Sequence, residues 1–365
     1  MKNNYLKIFS CLFIIYFCTS CTFYKHQIKQ NQNLNGYEKW FFIGKIAADE
    51  SLKILKNINS NISNKNIIVM TNAGYAEING DETRGILDGI AIVTKVSRGN
   101  NTLVEVHSGS WIPLWIAVYE KESGFCAYLE LKNNFNFSLD PNQMFSTEIE
   151  QINANHLFKN AKSYQVKIKN KFFGGNAFRI ITMANAISKG VPQFVVRSFE
   201  FHDHYCPGVT SGILIAQYLK KHFPPGKRGY FIHSVIPWCK EDALLVMLNA
   251  TPGKKNYAIS YPDENDKKKI VKKAQNAATI VYRKNDTDQW EGLLLGFKWA
   301  ENICTESGSK IIDKLCSDLW YLDYIDQPEK FVEPIKSFTL PKDVSPSEWA
   351  RPGKDPLKML GLTMK

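Results

Sequence analysis

Paired CxxC motifs are missing from this 365-residue chain, so a zinc ribbon has no sequence support. It has no P-loop, no dinucleotide fingerprint and no Ser-His-Asp order, so nucleotide chemistry and serine hydrolysis have no visible machinery. Long apolar runs are absent too. Beyond Phe17 nothing approaches the ~20 apolar residues that a spanning helix needs. Acidic residues are the minority, 35 against 46 Lys and Arg, which leaves a net charge of +11. Such a balance can serve nucleic acid or an anionic membrane surface. Here the lysines are scattered, and the one cluster, Lys267-Lys268-Lys269 with Lys272 and Lys273, fits a solvated helix face. No RNP pattern or heptad accompanies it, so nucleic acid is not an expected partner.

What is present begins with an export signal. Lys2 and Lys7 precede an apolar run, Ile8 to Phe17, that leads into Cys18-Thr19-Ser20-Cys21. The end resembles a bacterial lipobox, with Cys21 as the residue to be acylated; Cys18 departs from the leucine such boxes favour. The expectation is a lipoprotein-type signal peptide over 1–21 and an extracytoplasmic protein held to the membrane through Cys21. Plain secretion or a periplasmic location is the alternative. Five cysteines remain besides this anchor (126, 206, 239, 304, 316), an odd number at wide spacings and so no disulfide framework, although Cys304 and Cys316 could pair.

The polar, Gln/Asn-rich residues 22–38 read as a tether. Two α+β stretches follow, 39–170 and 171–326, and residues 327–365 read as an extended, proline-rich C-terminal tail on the surface. Helices are expected from Trp40, over Asn176–Ser188, from Val209 to His222 and from Cys239 to Asn249. Gln193–Cys206 reads as an extended run. The halves echo one another. Asp88 precedes Gly99 by the spacing at which Asp242 precedes Gly253, and Val118-Tyr119-Glu120-Lys121 matches Val281-Tyr282-Arg283-Lys284. A degenerate duplication would explain this, with the chemistry confined to the second copy.

The chemistry-bearing stretch is FEFHDHYCPG, residues 199–208. In an extended strand, residues two apart share a face, which would align His202, His204 and Cys206. Imidazole and thiolate are the donors that zinc and other borderline-soft divalent metals prefer. Pro207 suits the first position of a helix, which places Cys206 at the N-cap, where unpaired N–H groups favour a thiolate. Cys239, in Pro237-Trp238-Cys239, is the candidate fourth ligand at a second helix start. Asp242, one turn on, could hydrogen-bond a ligating histidine. His233 fits a buried strand histidine better than a ligand.

These residues carry a resemblance. FHDHYCPGVTSG resembles the FHGHxCPG signature of the FmdE family of formylmethanofuran dehydrogenase, and WCKEDALLVMLNATPGKKN is similar to that family's second motif. The upstream TNAGYAEING and LDGIAIVT look like its longer, two-part members. The resemblance implies an α+β core with a metal site at His202, His204, Cys206 and Cys239. Asp242 matches a polar neighbour, and Thr251, Gly253 and Lys254 match the loop beyond. Asp203 stands where the family usually has glycine, and the paired cysteines of a C-terminal zinc finger are missing.

The leading reading is a membrane-anchored metal-binding protein, with zinc the first choice and nickel or another divalent ion behind it. The competing reading is an enzyme of unknown substrate in which Cys206 is the nucleophile and His204 or His202 its base. A Cys206/Cys239 redox pair, and a binding groove lined by Trp111, Trp115 and Trp238, complete the set. A homodimer is the assembly considered alongside the monomer.

Overall fold

The segment Ile-Ile-Val-Met-Thr, residues 67–71, is buried along its whole length because both faces of the strand it forms are covered. A computed structural model describes residue 34 and residues 36–364; the signal segment, Cys21 and nearly all of the tether lie outside the described residues. The first half comprises α1 (Gly36–Ile58), β1 (Ile67–Thr71), α2 (Gly85–Thr94), β2 (Leu103–Glu105), β3 (Trp115–Glu120), β4 (Phe125–Leu131) and β5 (Phe145–Gln151). The connecting helices α3 (Ala177–Ser188) and α4 (Gln193–His202) follow. The second half holds α5 (Pro207–His222), β6 (Phe231–Ser234), α6 (Lys240–Leu248), β7 (Tyr257–Ile259), β8 (Ala277–Lys284), β9 (Trp290–Phe297), α7 (Lys310–Leu322) and β10 (Val332–Thr339).

Each half builds one mixed five-stranded sheet, in the orders β2-β1-β3-β4-β5 and β7-β6-β8-β9-β10. The two orders are the same when the halves are superposed in sequence. So is the register. Ile68 opposes Tyr119 as Phe231 opposes Tyr282, both antiparallel, and Val69 runs parallel to Leu103 as Ile232 does to Tyr257. A one-residue slip would turn every side chain to the other face. Matching register in both sheets is therefore strong support for an α+β fold made of two related halves.

Alternation along the strands decides the layering. Ile67, Val69, Ile116 and Val118 pack with α1 and α2, whereas Ile68, Met70, Ala117 and Tyr119 pack with α3, α4, α5 and α7. The opposite side of α5, with Leu214, Ile215 and Leu219, covers Ile232, Val281 and Leu295 of the second sheet. A helical layer thus lies between the two sheets, and it carries the candidate site.

Two expectations are corrected here. Residues 193–202 form the helix α4 and not an extended run, because Val195, Val196 and Phe199 make a buried helical stripe and Arg197 pairs with Glu200 one turn on. The β-branched and aromatic residues suggested a strand, but packing on the first sheet overrides that preference. The proline-rich C-terminal stretch, though extended, does not lie free on the surface. Its residues 332–339 are the edge strand β10, and Leu340, Trp349, Leu357, Leu360 and Leu362 bury the outer face of the second sheet against Phe231, Ile280, Tyr282 and Leu294. Prolines fit an edge strand, which leaves one row of N–H groups unpaired.

Candidate metal centre

Backbone geometry delivers the cluster. Glu200 ties α4 to the first sheet: its side chain accepts the Glu105 N–H at 2.9 Å, its carbonyl accepts the His107 N–H at 2.9 Å, and Arg98 pairs with it. His202 is therefore held at the end of an anchored helix. The helix stops because Asp203 turns left-handed, at φ 72°. Glycine is the easiest residue in that conformation and aspartate one of the few tolerated substitutes. Its carboxylate bonds Arg179 at 2.9 Å and His204 Nδ1 at 2.6 Å. Burial resists that charge, yet His204 and Arg179 hold it below the usual carboxylate range.

Cys206 is the N-cap of α5 with Pro207 at the first turn, as the sequence implied. Cys239 stands at the start of α6. The two helix starts meet because α5 has no side chain where they cross. A Cβ on Gly208 would lie 2.8 Å from the Cys239 Cβ, and one on Gly212 would lie 2.4 Å from the Lys240 carbonyl oxygen. The related helix pair in the first half crosses the same way, through Gly89 against the Phe41 carbonyl.

The result is a compact donor set. One ligand atom from each of His202, Cys206 and Cys239 lies within 4.8 Å of the others, and Cys206 Sγ is 4.0 Å from His202 Nε2. Asp242, on the first turn of α6, takes His202 Nδ1 at 2.6 Å, which leaves Nε2 facing the thiols. That is the usual way a carboxylate sets the tautomer and angle of a ligating imidazole. His204 stands beside the set, its ring 4.4 Å from that of His202, but outside the compact group.

Electrostatics divide the two thiols. A hydrogen bond to Cys239 and then burial push the Cys206 thiol far up, so it holds its proton. The same bond from Cys206, then one from His202, lowers Cys239 to about 4. Burial works against a charge on His202, but its bonds to Asp242 and Cys239 outweigh that and lift it to about 9. The metal-free site is thus an imidazolium beside a thiolate, with thiolate character on Cys239.

Two sulfurs and one nitrogen suit a borderline-soft divalent ion. Tetrahedral zinc bonds of ~2.0–2.3 Å place ligands roughly 3.5–4 Å apart, so the three donors fit one ion after a small closure. Such an ion would supply a cross-link or Lewis acidity.

The loop behind Cys239 is pinned by a buried ion pair. Lys240 Nζ, wholly enclosed, bonds the Ile236 carbonyl at 2.6 Å, Ser234 Oγ at 3.1 Å and the Glu241 carboxylate, and Tyr257 also donates to Glu241. Burial pushes this lysine down to about 8 despite Glu241.

Other residues read from sequence lie elsewhere. Lys254 Nζ bonds the Asn249 side chain and carbonyl, and Thr251 Oγ1 accepts the Lys254 N–H, so both shape the loop after α6. His233 sits buried in β6 with Nε2 2.9 Å from Ser260 Oγ, and burial lowers it to about 4. The tryptophans do not share a groove: Trp115 is core, Trp111 is 84% exposed, and Trp238 donates to Ser211 Oγ at 2.8 Å. Cys304 and Cys316 form a disulfide. Sequence reading missed Arg179, the Lys240–Glu241 pair and Asp318, a carboxylate inside an otherwise apolar helical stripe.

Residues 201–317 match the family model described as FmdE, molybdenum formylmethanofuran dehydrogenase operon. No curated protein matches the chain.

Proposed function

Because residues 201–317 are an FmdE-like domain holding a compact His/Cys set, we propose that this is an exported, lipid-anchored protein that binds a divalent metal at His202, Cys206 and Cys239. Zinc is the first choice and nickel the second. The convergence of one imidazole nitrogen and two sulfurs within 4.8 Å carries the reading. His204 is the additional candidate donor, 4.4 Å ring to ring from His202.

Export rests on the basic and apolar N-terminal segment, and anchoring rests on Cys21. The Cys304–Cys316 disulfide agrees with an oxidising compartment. No helix among the described residues is long and apolar enough to cross a membrane, so the lipid at Cys21 would be the attachment.

The test is elemental analysis of the full chain, expressed in a bacterium, extracted in detergent and purified without oxygen. One metal per chain, lost in Cys206→Ser and Cys239→Ser, is expected; a metal-free wild-type protein would reject the reading. Mass spectrometry of the N-terminal peptide should find an acylated Cys21.

A second reading has its own support. Cys206 shares its proton with Cys239, as in a reducing dithiol. Counting free thiols before and after mild reduction separates it: a gain of two beyond those of Cys304–Cys316 would favour the redox pair.

A further inference from the structure

The two sheets provide an internal comparison at their short parallel edge strands, β2 and β7. Their register, continued past the strand ends, makes Ile259 and Tyr261 the counterparts of Glu105 and His107. Val106 donates its N–H to the Thr71 carbonyl at 2.7 Å, as Ser260 does to the Ser234 carbonyl at 2.8 Å. Alternate residues bond across a ladder, so the N–H groups of Glu105, His107, Ile259 and Tyr261 all point away from the neighbouring strand. In the first half one residue takes both. Glu200 accepts the Glu105 N–H with its carboxylate and the His107 N–H with its carbonyl, each at 2.9 Å. Arg98 holds the same carboxylate at 2.9 Å, and the next ring, Phe201, stacks on His107 at 5.2 Å and 8°.

The second edge is bare. Among the described residues the Ile259 and Tyr261 N–H groups have no hydrogen-bond partner, and Tyr261, the counterpart of the stacked His107, is 78% exposed. Ile259, Ser260, Tyr261 and Pro262 instead line a cavity of about 480 Å3. The C-terminal stretch adds Arg351 and Lys354 to the same cavity, and neither side chain has an acidic partner among the described residues. The two acids there are already engaged. Asp355 accepts the Leu357 and Lys358 N–H groups, and Asp266 faces Lys269 at 3.8 Å. Two edge donors, two unpaired cations and an uncovered ring therefore meet at one cavity.

We infer that this cavity binds a short peptide in which an acidic residue is followed by an aromatic one, as Glu200-Phe201 is bound at the first edge. The acidic side chain takes the Ile259 N–H and is balanced by Arg351 and Lys354. The carbonyl of the same residue takes the Tyr261 N–H, and the aromatic ring lies against Tyr261. Unpaired edge groups are a template for an added chain, and peptides bind sheet edges through them. A cavity of this size suits a small ligand and not a folded partner. The inference stands apart from the metal-binding reading, and Arg351 and Lys354 lie beyond the matched segment 201–317.

The experiment titrates the full chain with acetyl-Glu-Phe-amide by calorimetry and follows the Ile259 and Tyr261 amide signals by NMR. One peptide should bind per chain, with both amide signals moving. Acetyl-Gln-Phe-amide lacks the charge and should bind at least about tenfold more weakly, since hydrogen bonds to charged groups contribute that factor or more. Arg351→Ala combined with Lys354→Ala should weaken the Glu peptide similarly and leave the Gln peptide unchanged, because the two losses report one interaction. Acetyl-Glu-Ala-amide should be about three- to tenfold weaker for want of the ring. Thermal unfolding checks that the double variant is folded, and the comparison of peptides needs only wild type. No binding of the Glu peptide at millimolar concentration would overturn the inference. So would equal affinity for the Glu and Gln peptides, or unmoved Ile259 and Tyr261 amide signals.

Discussion

Gly208 lies against Cys239 so closely that a Cβ on it would be 2.8 Å from the Cys239 Cβ and 3.2 Å from the Sγ. The helix that starts at Cys206 can approach the helix that starts at Cys239 only because this position carries no side chain. Gly208→Ala should push the helix starts apart, with an overpacking cost of about 1–3 kcal/mol. Metal affinity should fall alongside, by more than in a surface alanine variant. Chelator competition and thermal unfolding on the same preparations check both effects.

Asp242 determines which nitrogen of His202 faces the thiols. In Asp242→Asn the amide can still hydrogen-bond but carries no charge, so metal affinity should drop about 10–100-fold. The His202 pKa, lifted to about 9 in the metal-free protein by its bonds to Asp242 and Cys239, should move back toward its ordinary value. Imidazole NMR shifts followed with pH report it directly. An unmoved titration would mean that Cys239 alone sustains the shift.

The thiolate–imidazolium pair fixes the sign of two pH effects. Cys239 is lowered from 9.0 to about 4, so its contribution to stability is complete above its unfolded pKa and is lost as pH falls through about 4. His202 is raised from 6.5 to about 9, so its contribution is complete below 6.5 and is lost as pH rises through about 9. Metal-free protein should show thiolate ultraviolet absorbance at pH 6, absent in Cys239→Ser and retained in a Cys126→Ser control. Metal binding must displace protons from His202 and Cys206, so affinity should rise with pH across this window.

Lys240 and Glu241 are buried partners whose separation is costly. Lys240→Ala should destabilise the protein by about 3–5 kcal/mol, because it leaves the Glu241 charge without its cation. Lys240→Met combined with Glu241→Gln should recover much of that loss. Denaturant unfolding of wild type, Lys240→Met, Glu241→Gln and the double variant provides the cycle.

The C-terminal stretch seals a core. Truncation after residue 326 would strip the apolar cover from Phe231, Ile280, Tyr282 and Leu294 and remove an edge strand. The shortened chain should bind a hydrophobic dye and aggregate, whereas removal of Thr363, Met364 and Lys365 should be milder.

Much of this was legible in the residues. The repeated spacings around Asp88 and Asp242 reflect a duplication that the matching strand register supports. The convergence of His202, Cys206 and Cys239 followed from two cysteines at helix starts. Its geometry was not legible, because Phe194, Val195, Val196 and Phe199 have strand preferences that only packing against the first sheet overrules. His202 therefore reaches the thiols from a helix end and His204 from the turn beyond it, not from one strand face.

X-ray absorption at the metal edge of the loaded full-length protein tests the central claim most directly. The account predicts one divalent ion with two sulfur scatterers near ~2.3 Å, the remaining ligands being nitrogen or oxygen near ~2.0–2.2 Å. It also predicts that one sulfur disappears in Cys206→Ser and one in Cys239→Ser. A shell of nitrogen and oxygen alone, unchanged in either variant, would contradict it.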